Sequence, residues 1–124
     1  MPGATVGAAP VTIHGIRNCD TMRKARTWLE ARGVAHRFHD HRADGVEEAR
    51  LRGWVAEHGW QAVLNRAGTT FRRLPEAERA ALDEARAVAL MLAEPAMIRR
   101  PVLDLGGRTL VGFSPAAYEA AFPR

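Results

Sequence analysis

One cysteine, Cys19, occurs among the 124 residues. The thiolate, not the thiol, is the nucleophile, so its setting decides what it can do. Cys19 lies between a β-branched run, Val11-Thr12-Ile13-His14, and a stretch of helical spacing that opens at Asp20 or Thr21. That order places the sulfur at a helix N-terminus, where unpaired amides and the helix dipole favour an anion. Arg17, Arg23 and Lys24 add positive charge, while Asp20 opposes it unless turned away. The position suits a reactive thiol and also a buried structural one, since free cysteines are commonly buried. A lone cysteine makes no intrachain disulfide and no thiolate metal cluster. Met22 stands where a Cys-x-x-Cys motif has its second thiol, so any redox cycle must take that thiol from another molecule.

The elements that would position Cys19 follow from local patterning. Val11 to His14 reads as a buried strand and Gly15 to Cys19 as a loop. Met22, Ala25, Trp28 and Leu29 form the apolar stripe of a helix reaching Ala31, with Gly33 at its C-terminal end. Val34 to His39 alternates as a second strand. Asp44-Gly45 marks a turn, and a helix runs from Val46 to His58, closed by Gly59. Trp60 to Asn65 is a short helical turn ended near Gly68. Pro75-Glu76 opens a helical region reaching about Ala93, followed after Pro95 by a short continuation, Ala96 to Ile98. Val102 to Leu105 and Arg108 to Val111 flank Gly106-Gly107 as a hairpin. Ser114-Pro115 opens a C-terminal helix, with serine a favoured cap and proline a favoured first residue. The order is β-α-β, then helices, then β-β-α. That is a thioredoxin-like α/β arrangement: a mixed four-stranded sheet with a helical insertion at about residues 45–98 between the two halves. The first two strands are expected to be parallel and the hairpin antiparallel.

Composition fits this single domain. The chain is 47% hydrophobic and 26% charged, as soluble globular domains are. The net charge is +4, with Lys24 the single lysine among eighteen basic residues. The basic spots are short (Arg23-Lys24-Ala25-Arg26, Arg72-Arg73, Arg99-Arg100) and read as solvated surface. No DNA-recognition motif accompanies them, so no direct nucleic-acid partner is expected. Residues 1–10 read as a flexible tail and 11–124 as the domain. They show no secretory signal, and no run of ~18 to 20 apolar residues suggests a membrane span. A cytoplasmic monomer is the expectation, and a free thiol fits a reducing compartment. His39-Asp40-His41 invites a metal reading, but alternation on a strand and the lack of further ligands favour a solvated loop and no metal. Trp54 and Trp60 read as packing rather than as a stacking platform.

The segment from Gly15 to Glu30, with Asn18-Cys19-Asp20-Thr21-Met22 at its centre, resembles the active-site loop and helix of the ArsC/Spx family, most closely its YffB-like branch. Three more blocks carry the resemblance: Leu64-Asn65-Arg66 with Gly68 to Leu74, Ile98-Arg99-Arg100-Pro101, and Val111-Gly112-Phe113-Ser114. It extends over about residues 10 to 122. The resemblance implies a thioredoxin-like fold with a helical insertion and Cys19 as nucleophile. It implies Arg66 and Arg100 as oxyanion-binding arginines, which suits the two-pronged donation of a guanidinium. It implies a cis peptide bond before Pro101, facing the cysteine, with the backbone there pairing with an extended peptide such as glutathione. Asn18 and Thr21 are placed to donate hydrogen bonds near the sulfur.

Two positions depart from arsenate reductases of the family. Their late arginine falls on Gly112, and their histidine four residues before the cysteine falls on Gly15, with His14 one residue off and aimed elsewhere. Met22 removes the two-cysteine switch common in Spx regulators. The resemblance therefore implies a thiol reductase with one nucleophilic cysteine, resolved by glutathione or a glutaredoxin-like protein and needing no tightly bound cofactor. The alternatives are a glutathione/glutaredoxin arsenate reductase and a non-catalytic Spx-like regulator that binds RNA polymerase.

Overall fold

A computed structural model describes residues 11–123; the tail assigned to residues 1–10 lies outside them. Strand β1, Val11–Gly15, is followed by helix α1, Asp20–Arg32, and strand β2, His36–Asp40. Strands β3, Val102–Asp104, and β4, Thr109–Val111, lead to the last helix, α8, Pro115–Ala121. The sheet order is β2-β1-β3-β4, with β1 parallel to β2 and antiparallel to β3, and β3 antiparallel to β4. This is the mixed thioredoxin-like sheet expected from the element order.

Strand alternation divides the interior in two. Ile13 and Leu103 point to the face covered by α1 and α8, where they meet Met22, Ala25, Leu29 and Tyr118. Val102 points to the opposite face, among Leu51, Trp54, Val63, Val88, Met91 and Ile98. The second cluster belongs largely to the helical insertion. Both Trp54 and Trp60 pack there, as expected. Each fully buried leucine in these clusters contributes about 1.5–3 kcal/mol.

The insertion holds helices α2, His41–Asp44, α3, Glu48–His58, α4, Trp60–Val63, α5, Thr69–Arg72, α6, Glu76–Ala80, and α7, Glu84–Ala93, then a 3₁₀ turn, Pro95–Met97. The helical region from Pro75 to Ala93 is thus two helices. It breaks because the Asp83 carboxylate accepts the Arg86 amide at 2.8 Å and starts a new helix. Helix α5 was not expected from the sequence. Residues Val34 and Ala35 also leave the second strand. The reason is the left-handed Gly33 (φ 76°), whose turn returns the Val34 amide to the Leu29 carbonyl at 2.9 Å.

The insertion is fastened beside the sheet by a two-residue antiparallel bridge. The Asn65 amide donates to Met97 and the Arg99 amide donates to Val63, each at 2.8 Å. This bridge fixes the approach of Arg99 and Arg100 to the end of β3.

Candidate functional site

Cys19 caps helix α1 in an extended conformation (φ −114°, ψ 129°) and is partly exposed. Asn18 before it is left-handed (φ 59°), a conformation asparagine accepts more readily than most residues. This tight approach turns the chain from strand to helix within four residues. Asp20 ion-pairs with Arg23 at the surface and is 84% exposed, so it is turned away from the sulfur.

Burial disfavours the Cys19 thiolate, but the amide of Met22, the Arg100 guanidinium and the amide of Thr21 outweigh it. The net effect lowers the thiol below its ordinary pKa. The helix-start amides are the donors expected from sequence. Arg100 is the added cation. Its Nη1 is held by the Ala96 carbonyl at 3.0 Å, and its Nε is buried with no protein partner. The Arg100–Pro101 bond is cis, and Pro101 is buried beside it.

Three cavities meet at Cys19, and two of them also reach Arg100. The larger of these two, about 820 Å³, is lined by Cys19, Thr21, Arg99, Arg100, Gly112 and Phe113 among others. The smaller, about 260 Å³, is polar and includes Asn18, Cys19, Arg17, Arg42, Asn65 and Arg100. Cys19 and Arg100 border both. Cys19, Thr21, Asn18, Arg100 and Pro101 are therefore brought together. Arg66 is not among the residues lining either cavity. It is exposed, with its guanidinium 6.0 Å from the Trp60 ring centre.

Sequence reasoning passed over Arg99, His58, Arg42 and Asn65. Arg99 sat in a basic pair already noticed, of which only Arg100 was singled out. His58 read as a helix end. Here it faces the larger cavity, its Nε2 2.7 Å from Thr109 Oγ1. Glu57 accepts from the Thr109 amide at 2.9 Å and from its hydroxyl at 2.8 Å. The amide bond comes first among the influences that hold the Glu57 carboxyl below its usual range.

The structure corrects the reading of His39-Asp40-His41 as a solvated loop. Asp40 is 7% exposed and His41 1%. The Asp40 carboxylate caps α2 by accepting the Arg42 amide at 2.9 Å, and it pairs with Arg17 at 3.4 Å. His41 packs beside His14, 6.3 Å between ring centres, and both abut Trp54. His14 does aim away from the cysteine, into the insertion side of the sheet. No cluster of three or more metal-ligating side chains suited to an ion occurs among the described residues. None of the described helices is long and apolar enough to cross a membrane.

Gly15 is where arsenate reductases carry histidine. A Cβ on Gly15 would stand 2.2 Å from the Met22 Sδ. Met22 thus occupies the space that a side chain at residue 15 would take.

Comparison with known proteins bears on the family and the fold. The model of the ArsC family matches residues 14–121. A solved YffB protein is 65% identical with a TM-score of 0.86, covering 90% of this chain and 97% of that one. An arsenate reductase (ArsC) related protein from Brucella melitensis is 51% identical with a TM-score of 0.76, covering 95% and 98%. An uncharacterized protein of Haemophilus influenzae is 37% identical over 112 residues, 90% of this chain and 98% of that relative.

Proposed function

The chain belongs to the ArsC family, and we propose that within it the protein is a glutathione-dependent thiol reductase working through Cys19 alone. The observation that carries this reading is a partly exposed thiol at a helix start, with its pKa lowered, opening onto a cavity of about 820 Å³. The cavity is far larger than an inorganic oxyanion requires, and it suits a tripeptide-sized ligand. Arsenate reduction is less well supported, because Arg66 stays clear of the cavities at Cys19 and residue 112 is glycine.

In the proposed cycle the Cys19 thiolate attacks the glutathione sulfur of a mixed disulfide. The Cys19–glutathione bond forms, the substrate sulfur leaves as thiolate and takes a proton, and the substrate is reduced. A second glutathione thiolate then attacks the glutathione sulfur on Cys19. Oxidised glutathione leaves and the Cys19 thiolate returns. One glutathione thiol is consumed per cycle: its sulfur passes into oxidised glutathione, its proton goes to the substrate thiolate, and the substrate sulfur ends as a thiol. Arg100 holds negative charge at the sulfur in both steps, and the Thr21 amide supports it. A glutaredoxin-like protein can serve as the resolving thiol in the same scheme. A monomer in a reducing, cytoplasmic setting is part of the proposal.

The test is mass spectrometry after incubation with oxidised glutathione near neutral pH, paired with a glutathione-coupled reductase assay of wild type and Cys19→Ser. Rapid formation of a Cys19 adduct and loss of activity in the variant are expected. Retained activity in Cys19→Ser sinks the proposal. An inert thiol in the wild type does so too, and it favours the polymerase-binding regulator.

A further inference from the structure

The larger cavity carries more positive charge than one thiolate needs. Arg99 and Arg100 both line it, and no aspartate or glutamate does. Arg100 is directed to the Cys19 sulfur. Arg99 is separate. Its main-chain amide is fixed to Val63 at 2.8 Å and its Nε donates to the Ala62 carbonyl at 3.0 Å. Those two bonds hold the stem against the insertion. The terminal nitrogens make no ion pair among the described residues, and the side chain is exposed.

Gly112 makes room for this arrangement. Its φ is 80°, its amide donates to the Pro101 carbonyl at 2.8 Å, and a Cβ on it would lie 3.7 Å from Arg99 Cδ. A long side chain at residue 112 would run out alongside Arg99. The glycine leaves that space to the arginine from the neighbouring segment. The rest of the wall there, Leu110, Val111 and Phe113, is largely apolar. A guanidinium held by its stem, on a cavity wall without an acidic residue, suits a carboxylate.

We propose that Arg99 binds a carboxylate of the thiol co-substrate remote from its sulfur, and so selects carboxylate-bearing thiols over neutral or cationic ones. This rests on the glutathione reading above and names the residue that would enforce it. Arg99 acts here as a binding and specificity residue, whereas Arg100 acts at the reacting sulfur.

The experiment begins with Cys19 converted to its pyridyl disulfide by 2,2′-dithiodipyridine. Glutathione or cysteamine, a thiol without a carboxylate, then displaces pyridinethione, whose release is followed by absorbance. Wild type, Arg99→Gln and Arg99→Lys are compared at several salt concentrations. The expected result is that Arg99→Gln slows glutathione by about tenfold, the scale of one lost charge-assisted hydrogen bond. Its rate with cysteamine, a cationic thiol, does not fall, Arg99→Lys recovers part of the glutathione rate, and salt erodes the wild-type preference. Equal glutathione rates in wild type and Arg99→Gln overturn the proposal. Equal slowing with both thiols also overturns it, because that is the mark of a merely structural role. If the wild-type adduct reacts with glutathione no faster than a free pyridyl disulfide does, the parent reading fails and this one falls with it.

Discussion

Acidification from about pH 7.5 to about pH 5 should remove a large share of this protein's stability, through two histidines. His14 is fully buried and His41 is 1% exposed, and neither ring has a hydrogen-bond partner among protein groups. Burial first, then His39, Arg50 and His41, lowers His14 from 6.5 to about 3. Burial and the neighbouring His39 and Arg100, opposed by Asp40, lower His41 to about 4. A base whose folded pKa lies below its unfolded pKa binds more protons when unfolded. Its stability contribution is therefore complete above 6.5 and is lost as the pH falls toward the folded value. At about pH 5 each unfolded histidine lies about 1.5 units below its pKa. At about 1.36 kcal/mol per unit, that is about 2 kcal/mol for each and about 4 for the pair. Domain stabilities are typically about 5–15 kcal/mol, so the loss is readily measured. The carboxylate range lies mostly below this window. Urea unfolding at both pH values, for wild type, His14→Leu and His14→Leu with His41→Leu, reads it directly. The loss should fall to about 2 kcal/mol in the single variant and nearly vanish in the double one. At about pH 7.5 His14→Leu should be close to neutral, since the unpartnered ring nitrogens depart with the ring. An undiminished loss of about 4 kcal/mol in His14→Leu would refute the reasoning.

Arg100→Gln should raise the Cys19 pKa, since one of the influences lowering it is removed; the alkylation rate with iodoacetamide, plotted against pH, should shift its midpoint upward. Leu103, fully buried between α1 and α8, should cost about 2–5 kcal/mol when cut to alanine, measured by urea unfolding. Tyr118→Phe should leave stability unchanged or raise it by up to about 1–3 kcal/mol, because the buried hydroxyl has no protein partner. A clear loss of stability on that change would show that the hydroxyl is satisfied in solution.

Much of the sheet and its helices could be read locally. Ser114 does accept from the Ala117 amide at 3.3 Å with Pro115 in the first turn, and Gly33 does end α1. Such signals need no knowledge of distant contacts. Cys19 was legible for the same reason, because a strand, a loop and a helix start lie within ten residues. What could not be read depends on pairings across the chain. The burial of Asp40 and His41 comes from Arg17, His14 and Trp54, which a local window does not contain. Arg99 and Arg100 are adjacent in sequence, and only the bridge to Val63 and Asn65 shows that both line the cavity at Cys19. The oxyanion role expected of Arg66 came from resemblance alone; its guanidinium stands 6.0 Å from the Trp60 ring centre.

The contact between the bare Gly15 and Met22 bears on how this protein can change over generations. A side chain at residue 15 meets the flexible end of Met22, so a histidine there requires Met22 to move or to be replaced. A cysteine at 22 would make that room and would also complete a two-thiol motif. Conversely, shortening Met22 while residue 15 remains glycine opens a void against Ile13 and Leu103. The two positions share one space, so the cost of a change at either depends on the residue at the other. Sequence sets from this family should accordingly show residues 15 and 22 varying as a pair.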